Sequence, residues 1–319
     1  MTNNSNYIAG FDVLKFILAI LIVAAHTQFL TEYTAISPFL GSLKSGAIPT
    51  FFAVSAYLFI KRLDGSQGDD RAVVTKTIKR LCIIFGVWYV LMLPMTYIVF
   101  FKVATFKETI YAMLMTCTFN GYWFFKALII NTIILYFCRK HLKSCFLIGL
   151  VLYGFWSYNY LYHFVSLSIS PYYSFYYSIA YFSIGALLAR YKEMADGVPL
   201  SMLIVNVVIH ATVPCIAPIC RLLYPIILIP MFCKIKIKNI ALCKSMRVQS
   251  ILFYVMQFVL IWLYNNACKY FLAEDSVPYE VLQHSVVRFV VVLGLLFLLS
   301  HFIMQSEKNP KFSFLRYLH

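Results

Sequence analysis

About ten apolar runs of membrane-crossing length, broken by short connections rich in Lys and Arg, limit this chain to few folds. A backbone in lipid must satisfy its own amide groups, so such runs are read as helices. They fall at about 10–30, 46–60, 81–101, 122–138, 144–158, 174–189, 199–213, 219–233, 248–267 and 284–304. With 62% hydrophobic and 12% charged residues, the composition carries about half the charge of a soluble domain. The expectation is an all-α, polytopic membrane helix bundle forming a single domain over residues 1–319. No internal repeat, low-complexity linker or appended soluble domain is visible.

The first run can be compared with a signal peptide, since Phe16–Ala25 has the length of its apolar core. A positive leading region is missing, however, and Asp12 stands at its border, so an uncleaved first span is expected. Between spans three and four, Lys102–Thr109 opens an amphipathic or re-entrant piece that ends at the turn dipeptide Asn120–Gly121. Asn159–Tyr173, dense in Tyr and Ser, suits a membrane interface.

The basic residues orient the chain. With the N-terminus inside, nineteen of the 27 Lys and Arg fall in inner connections, from Lys61–Arg80 through Arg139–Lys143, Arg190–Lys192 and Lys234–Arg247 to the tail. The outer connections hold only Lys44, Lys102, Lys107 and Lys269, which predicts both termini in the cytoplasm. The net charge of +15 is therefore a topology signal and points to no nucleic acid. The nine cysteines are scattered through apolar segments without metal-ligand spacing and read as small hydrophobes.

Chemistry concentrates in Gly10–His26. Lys15 and His26, eleven residues apart, share one helix face, and Asp12 lies about 40° from His26. An ionised group within a span costs about 2.5–3.5 kcal/mol, so each needs a partner or a polar cavity. Asp12 and Lys15 can neutralise each other, either as a cap on the inner end of the span or as part of a site. His26, about 16 Å beyond Lys15 by helical rise, is a structural hydrogen-bonding group or an acid/base group; no neighbouring spacing suits a metal. For His141, His163, His210, His284, His301 and His319 a structural or interfacial role is preferred.

GFDVLKFILAILIVAAH resembles the opening signature of the acyltransferase-3 family of integral membrane acyltransferases, an Asp, then a basic residue, then a His eleven positions further on. Pro49–Phe59 resembles that family's second-span stretch, with Ser55 kept and Ala56 at the usual glycine. Lys76–Leu81 is similar to its basic entry into span three, Gly121–Ile129 to its Trp-Phe segment, and Ser250–Phe258 to its penultimate span. Three further positions depart from the pattern: Lys15 stands for Arg, Gln257 for a second His, and Thr77 for one Arg of an Arg-x-x-Arg pair.

The resemblance implies a bacterial polysaccharide O-acyltransferase of the cytoplasmic (inner) membrane. It would move an acyl group, usually acetyl, from cytoplasmic acyl-CoA to a hydroxyl of a lipid-linked or surface glycan of the cell envelope. His26 would be the general base, with a transient acyl-histidine the less favoured route, and Lys15 and Asp12 would hold the inner part of the cavity. Arg80, Lys79 and Lys76 would take the CoA phosphates. Glu32 is a candidate for orienting the imidazole or binding the acceptor, as against a solvated loop acid; Trp123 and Ser55 are further acceptor-side candidates. No metal or tightly bound cofactor is expected, acyl-CoA being a co-substrate, and the oligomeric state is open. Without a fused extracytoplasmic hydrolase-like domain in this sequence, transfer would be completed by the membrane bundle itself. A secondary transporter or glycan flippase would also use Asp12, Lys15 and His26, but would call for inverted repeats or interrupted spans.

Overall fold

The computed structural model describes residues 7–66, 68–94, 105, 107–108, 123–162, 175–191, 198–273 and 276–319. Among these the secondary structure is helical, with no strand. The helices are α1 (Ala9–His26), α2 (Ser37–Asp64), α3 (Asp70–Leu91), α4 (Trp123–Cys138), α5 (Leu142–Tyr162) and α6 (Phe175–Arg190), followed by α7 (Leu200–Thr212), α8 (Ala217–Cys233), α9 (Ile240–Phe271), α10 (Val277–Gln283) and α11 (Ser285–Ser306). A 3-10 turn, Pro214–Ile216, leads into α8.

Five stretches are long and apolar enough to cross a membrane: Ala9–His26, Ser37–Asp64, Pro214–Cys233, Ile240–Phe271 and Ser285–Ser306. Trp123–Cys138, Leu142–Ser157 and Leu200–Thr212 are shorter apolar helices. The amphipathic piece expected at 102–121 and the interfacial segment expected at 159–173 fall largely outside the described residues.

Among the boundaries that differ from expectation, two show their physical reasons plainly. Span two was expected from 46, yet α2 begins at Ser37. Polar side chains ahead of the expected start find acceptors, since Ser45 Oγ donates to the Ser42 carbonyl at 2.7 Å and Lys44 Nζ to the Phe29 carbonyl in the preceding turn at 2.7 Å. Span three was expected from 81, yet α3 begins at Asp70, where Asp69 caps the helix by accepting from the Ala72 amide at 3.3 Å. A side-chain acceptor for an orphan amide is a helix-start signal that hydropathy does not see.

The chain divides into two compact units, 1–11 with 48–237 and 12–47 with 238–319. In the first unit, Phe52 of α2 packs against Phe124 with ring centroids 4.6 Å apart, against Trp123 at 6.3 Å and against Phe182 at 6.4 Å. Close backbone approach depends on small residues: a Cβ at Gly185 of α6 would stand 1.9 Å from the Ala53 carbonyl oxygen of α2. At one end of this unit the helix termini are tied by ion pairs, Arg139 with Asp70 at 2.9 Å and Arg190 with Asp64 at 3.0 Å.

In the second unit, Phe16 of α1, Phe253 of α9 and Phe297 of α11 form an aromatic triad with centroid separations of 5.0–5.9 Å. Edge and tilted contacts of this kind add to simple burial because ring edges are positive and faces negative.

Candidate active site

His26 is the last residue of α1, five turns along a helix whose inward positions Phe11, Leu14, Leu18 and Ile22 are buried. The apolar stripe fixes the rotation of α1. It leaves the imidazole exposed at the helix end, with its ring against Phe258 of α9 at 4.4 Å. The expected span ran to 30. The helix stops at His26 instead, and the chain turns through Gln28 and Leu30, both at positive φ (56° and 60°). Non-glycine residues in that region cost about 1 kcal/mol or more each, so surrounding contacts must hold them.

Those contacts come from α11 and α2. Arg288 Nε donates to the Thr27 carbonyl at 3.0 Å and its terminal nitrogen to Gln28 Oε1 at 3.2 Å. The Leu30 amide donates to Ser285 Oγ at 3.0 Å, Phe29 packs on Phe289 at 4.3 Å, and Lys44 reaches the Phe29 carbonyl. Glu32 closes the arrangement: its carboxylate accepts the Ser285 amide at 3.0 Å and the Ser285 hydroxyl. That hydroxyl bond, helped by the Ser285 amide and by His284, holds the Glu32 carboxyl down at about 2. Glu32, considered from sequence for orienting the imidazole or binding the acceptor, is tied here to the start of α11.

Asp12 lies near the other end of α1, about 21 Å from His26 by helical rise, buried and 3.7 Å from Arg247 Nε of α9. Arg247 is a partner that sequence spacing did not supply. Lys15 is half-buried on the same helix. Gln257, at the position where the family pattern carries a second His, is fully buried; its Nε2 donates to the Tyr254 carbonyl at 3.1 Å, and its Oε1 has no donor.

The remaining candidates belong to the first unit. Lys76, Lys79 and Arg80 are exposed on α3, and their spacing puts all three on one face. Ser55 donates to the Phe51 carbonyl at 2.8 Å within its own helix. Trp123 is buried against Phe52, so its ring serves packing here. The second unit therefore contains His26, Glu32, Asp12 and Lys15, with His26 and Asp12 towards opposite ends of α1, and the first unit holds the basic trio, Ser55 and Trp123. Sequence reasoning missed Arg288 and Ser285; an Arg within span ten was the one available signal for the former.

Helices of membrane-crossing length, a first helix that carries Asp12 and Lys15, and an exposed imidazole at its end define a multi-pass membrane protein with a candidate catalytic centre. The sequence profile of the family described as "Acyltransferase domain" matches residues 8–305, nearly the whole chain, and the protein belongs to this acyltransferase-3 family. The family is one of acyltransferases. A protein named "Amino-acid racemase" from Enterococcus faecalis is 31% identical over 159 residues, 48% of this chain and 22% of that protein. The chain spans about a fifth of that relative's length, and the racemase name stays with the relative. No solved structure matches the chain.

Proposed function

We propose that this acyltransferase moves an acetyl group from cytoplasmic acetyl-CoA to a hydroxyl of a lipid-linked or surface glycan at the bacterial cytoplasmic membrane. The observation that carries the reading is the His26 imidazole, exposed at the end of a membrane-length helix and followed by a strained turn pinned from α2 and α11. A neutral imidazole suits proton abstraction near pH 7. His26 accepts the proton of the acceptor hydroxyl, the oxygen attacks the thioester carbonyl, the C–S bond breaks, and the proton passes to the departing CoA thiolate. The products are an O-acetylated glycan and free CoA, and no further reactant is required.

In this reading Lys76, Lys79 and Arg80 hold the CoA phosphates as a line of exposed charges on one helix face. Lys15, with Asp12 and Arg247, keeps the inner part of the path polar. Ten spans with both termini cytoplasmic give the donor and acceptor their separate sides, as the distribution of Lys and Arg supports.

The test is His26→Ala and His26→Gln at matched membrane abundance, with mass spectrometry of the surface glycan as readout. Loss of a general base predicts a fall of about 10²–10⁴ in transfer rate. Normal acetylation in both variants overturns the mechanism. Loss of solute export with acetylation intact favours the transporter reading.

A further inference from the structure

Four residues past the end of α11 the chain enters a 3-10 segment, Pro310–Leu318, that chemistry at His26 does not use. The segment is held at both ends. Asn309 caps its start, accepting the Lys311 amide through Oδ1 at 3.1 Å and the Phe312 amide through its carbonyl at 2.9 Å. At the far end Leu318 is buried, and His319 Nε2 lies 2.7 Å from the Glu307 carboxylate at the end of α11. Anchored in this way, the segment still turns its rings outward: Phe312, Phe314 and Tyr317 are 47%, 58% and 48% exposed. Phe314 and Tyr317 are one 3-10 turn apart and stand in one row.

The charge at this end of the second unit has one sign. Ser245 of α9 lies with its Oγ 3.9 Å from Met304 Sδ of α11, so the start of α9 and the end of α11 share it. Lys238, Lys244, Lys308, Lys311 and Arg316 are exposed there. Over 238–273 and 281–319 the sequence holds one acid, Glu307, and that acid is engaged by His319. Asp12 of α1 is buried 3.7 Å from Arg247. The 22 residues of α11 span about 33 Å by helical rise, close to the thickness of the hydrocarbon layer. Its end therefore reaches the headgroups, and a segment tied back to that end stays among them. Aromatic rings favour that depth, and Lys and Arg beside them attract anionic headgroups. A second copy meeting this face would bring the same positive charge to it, which disfavours self-association there.

We propose that Pro310–Leu318 is a binding element for anionic phospholipid. It lies along the bilayer surface, with Phe312, Phe314 and Tyr317 among the headgroups and Lys308, Lys311 and Arg316 on their phosphates. The proposal is independent of the role given to His26.

The test is backbone hydrogen exchange of the full-length chain, read by mass spectrometry over residues 311–318. The chain is placed in nanodiscs of phosphatidylcholine alone and of phosphatidylcholine with about one quarter phosphatidylglycerol, both leaflets alike, so the result does not depend on orientation. Exchange is expected to be at least about fivefold slower with phosphatidylglycerol, the worth of one cation near an anionic surface. The difference should vanish in about 0.5 M salt, which screens charges beyond a few ångströms. It should also vanish in the combined variant Lys308→Gln, Lys311→Gln, Arg316→Gln, whose α11 amides exchange as in wild type. Phe314→Ser with Tyr317→Ser should speed exchange in both bilayers. Equal wild-type rates in the two bilayers overturn the proposal, as does a lipid effect that survives loss of the three cations. Protection that is alike in both lipids and appears only with two chains per disc assigns the face to a second copy and also overturns it.

Discussion

Glu32 shows how a loop acid acquires a structural task. Its carboxylate is held at about 2 by the Ser285 hydroxyl and amide, below its ordinary value of 4.5. A depressed carboxyl stabilises the folded state above the unfolded value and loses that contribution as pH falls through the folded one. The turn at 27–32 is therefore expected to keep its protection at pH 6 and loosen between about pH 4.5 and 2. Hydrogen exchange at the Leu30 and Ser285 amides, corrected for intrinsic rates, reads this directly, and Glu32→Gln should exchange faster than wild type at pH 6 and show no such step. If wild type shows no step, the carboxylate does not hold the turn. At this scale legibility was uneven. His26 stands out in the sequence because a titratable residue in an apolar run is anomalous at sight. Ser285 and Arg288 lie more than 250 residues from the loop they hold, and nothing local in a Ser at a helix start announces so distant a partner.

The helices themselves were largely legible, because hydropathy marks the part of a helix that meets lipid. The apolar runs at 122–138, 174–189, 199–213 and 284–304 agree closely with α4, α6, α7 and α11. Where helices extend past the apolar stretch, as α2, α3 and α9 do, capping and side-chain hydrogen bonds set the boundary, and those are invisible to a hydropathy reading. Packing between helices was not legible either. The contact at Gly185 depends on a missing Cβ, and an added methyl would stand 1.9 Å from the Ala53 carbonyl oxygen, a backbone atom that cannot swing aside. Gly185→Ala is expected to cost about 1–3 kcal/mol through overpacking, seen as a lower unfolding midpoint in detergent. Gly154→Ala, on the neighbouring α5 with open space around the new Cβ, should leave the midpoint nearly unchanged. Equal midpoints for the two variants would argue against close packing at 185.

For the whole molecule, the ion pairs Arg139–Asp70 and Arg190–Asp64 gather at one end of the first unit the termini that the charge distribution assigns to the cytoplasm. Under the proposed ten-span arrangement, a fluorescent protein fused after His319 should fluoresce and alkaline phosphatase fused after Ala273 should be active. Phosphatase activity from the His319 fusion would invert the orientation. The second unit also has a history in time. It is built from Asp12–Ala47 and Lys238–His319, with about 190 residues made between the two pieces. At ~5–20 residues per second, α1 waits ~10–40 s before Arg247 is synthesised. Throughout that interval Asp12 is already in the membrane while the guanidinium that will neighbour it does not yet exist. The contact between Asp12 and Arg247 can therefore form only late in synthesis, after most of the first unit has left the ribosome.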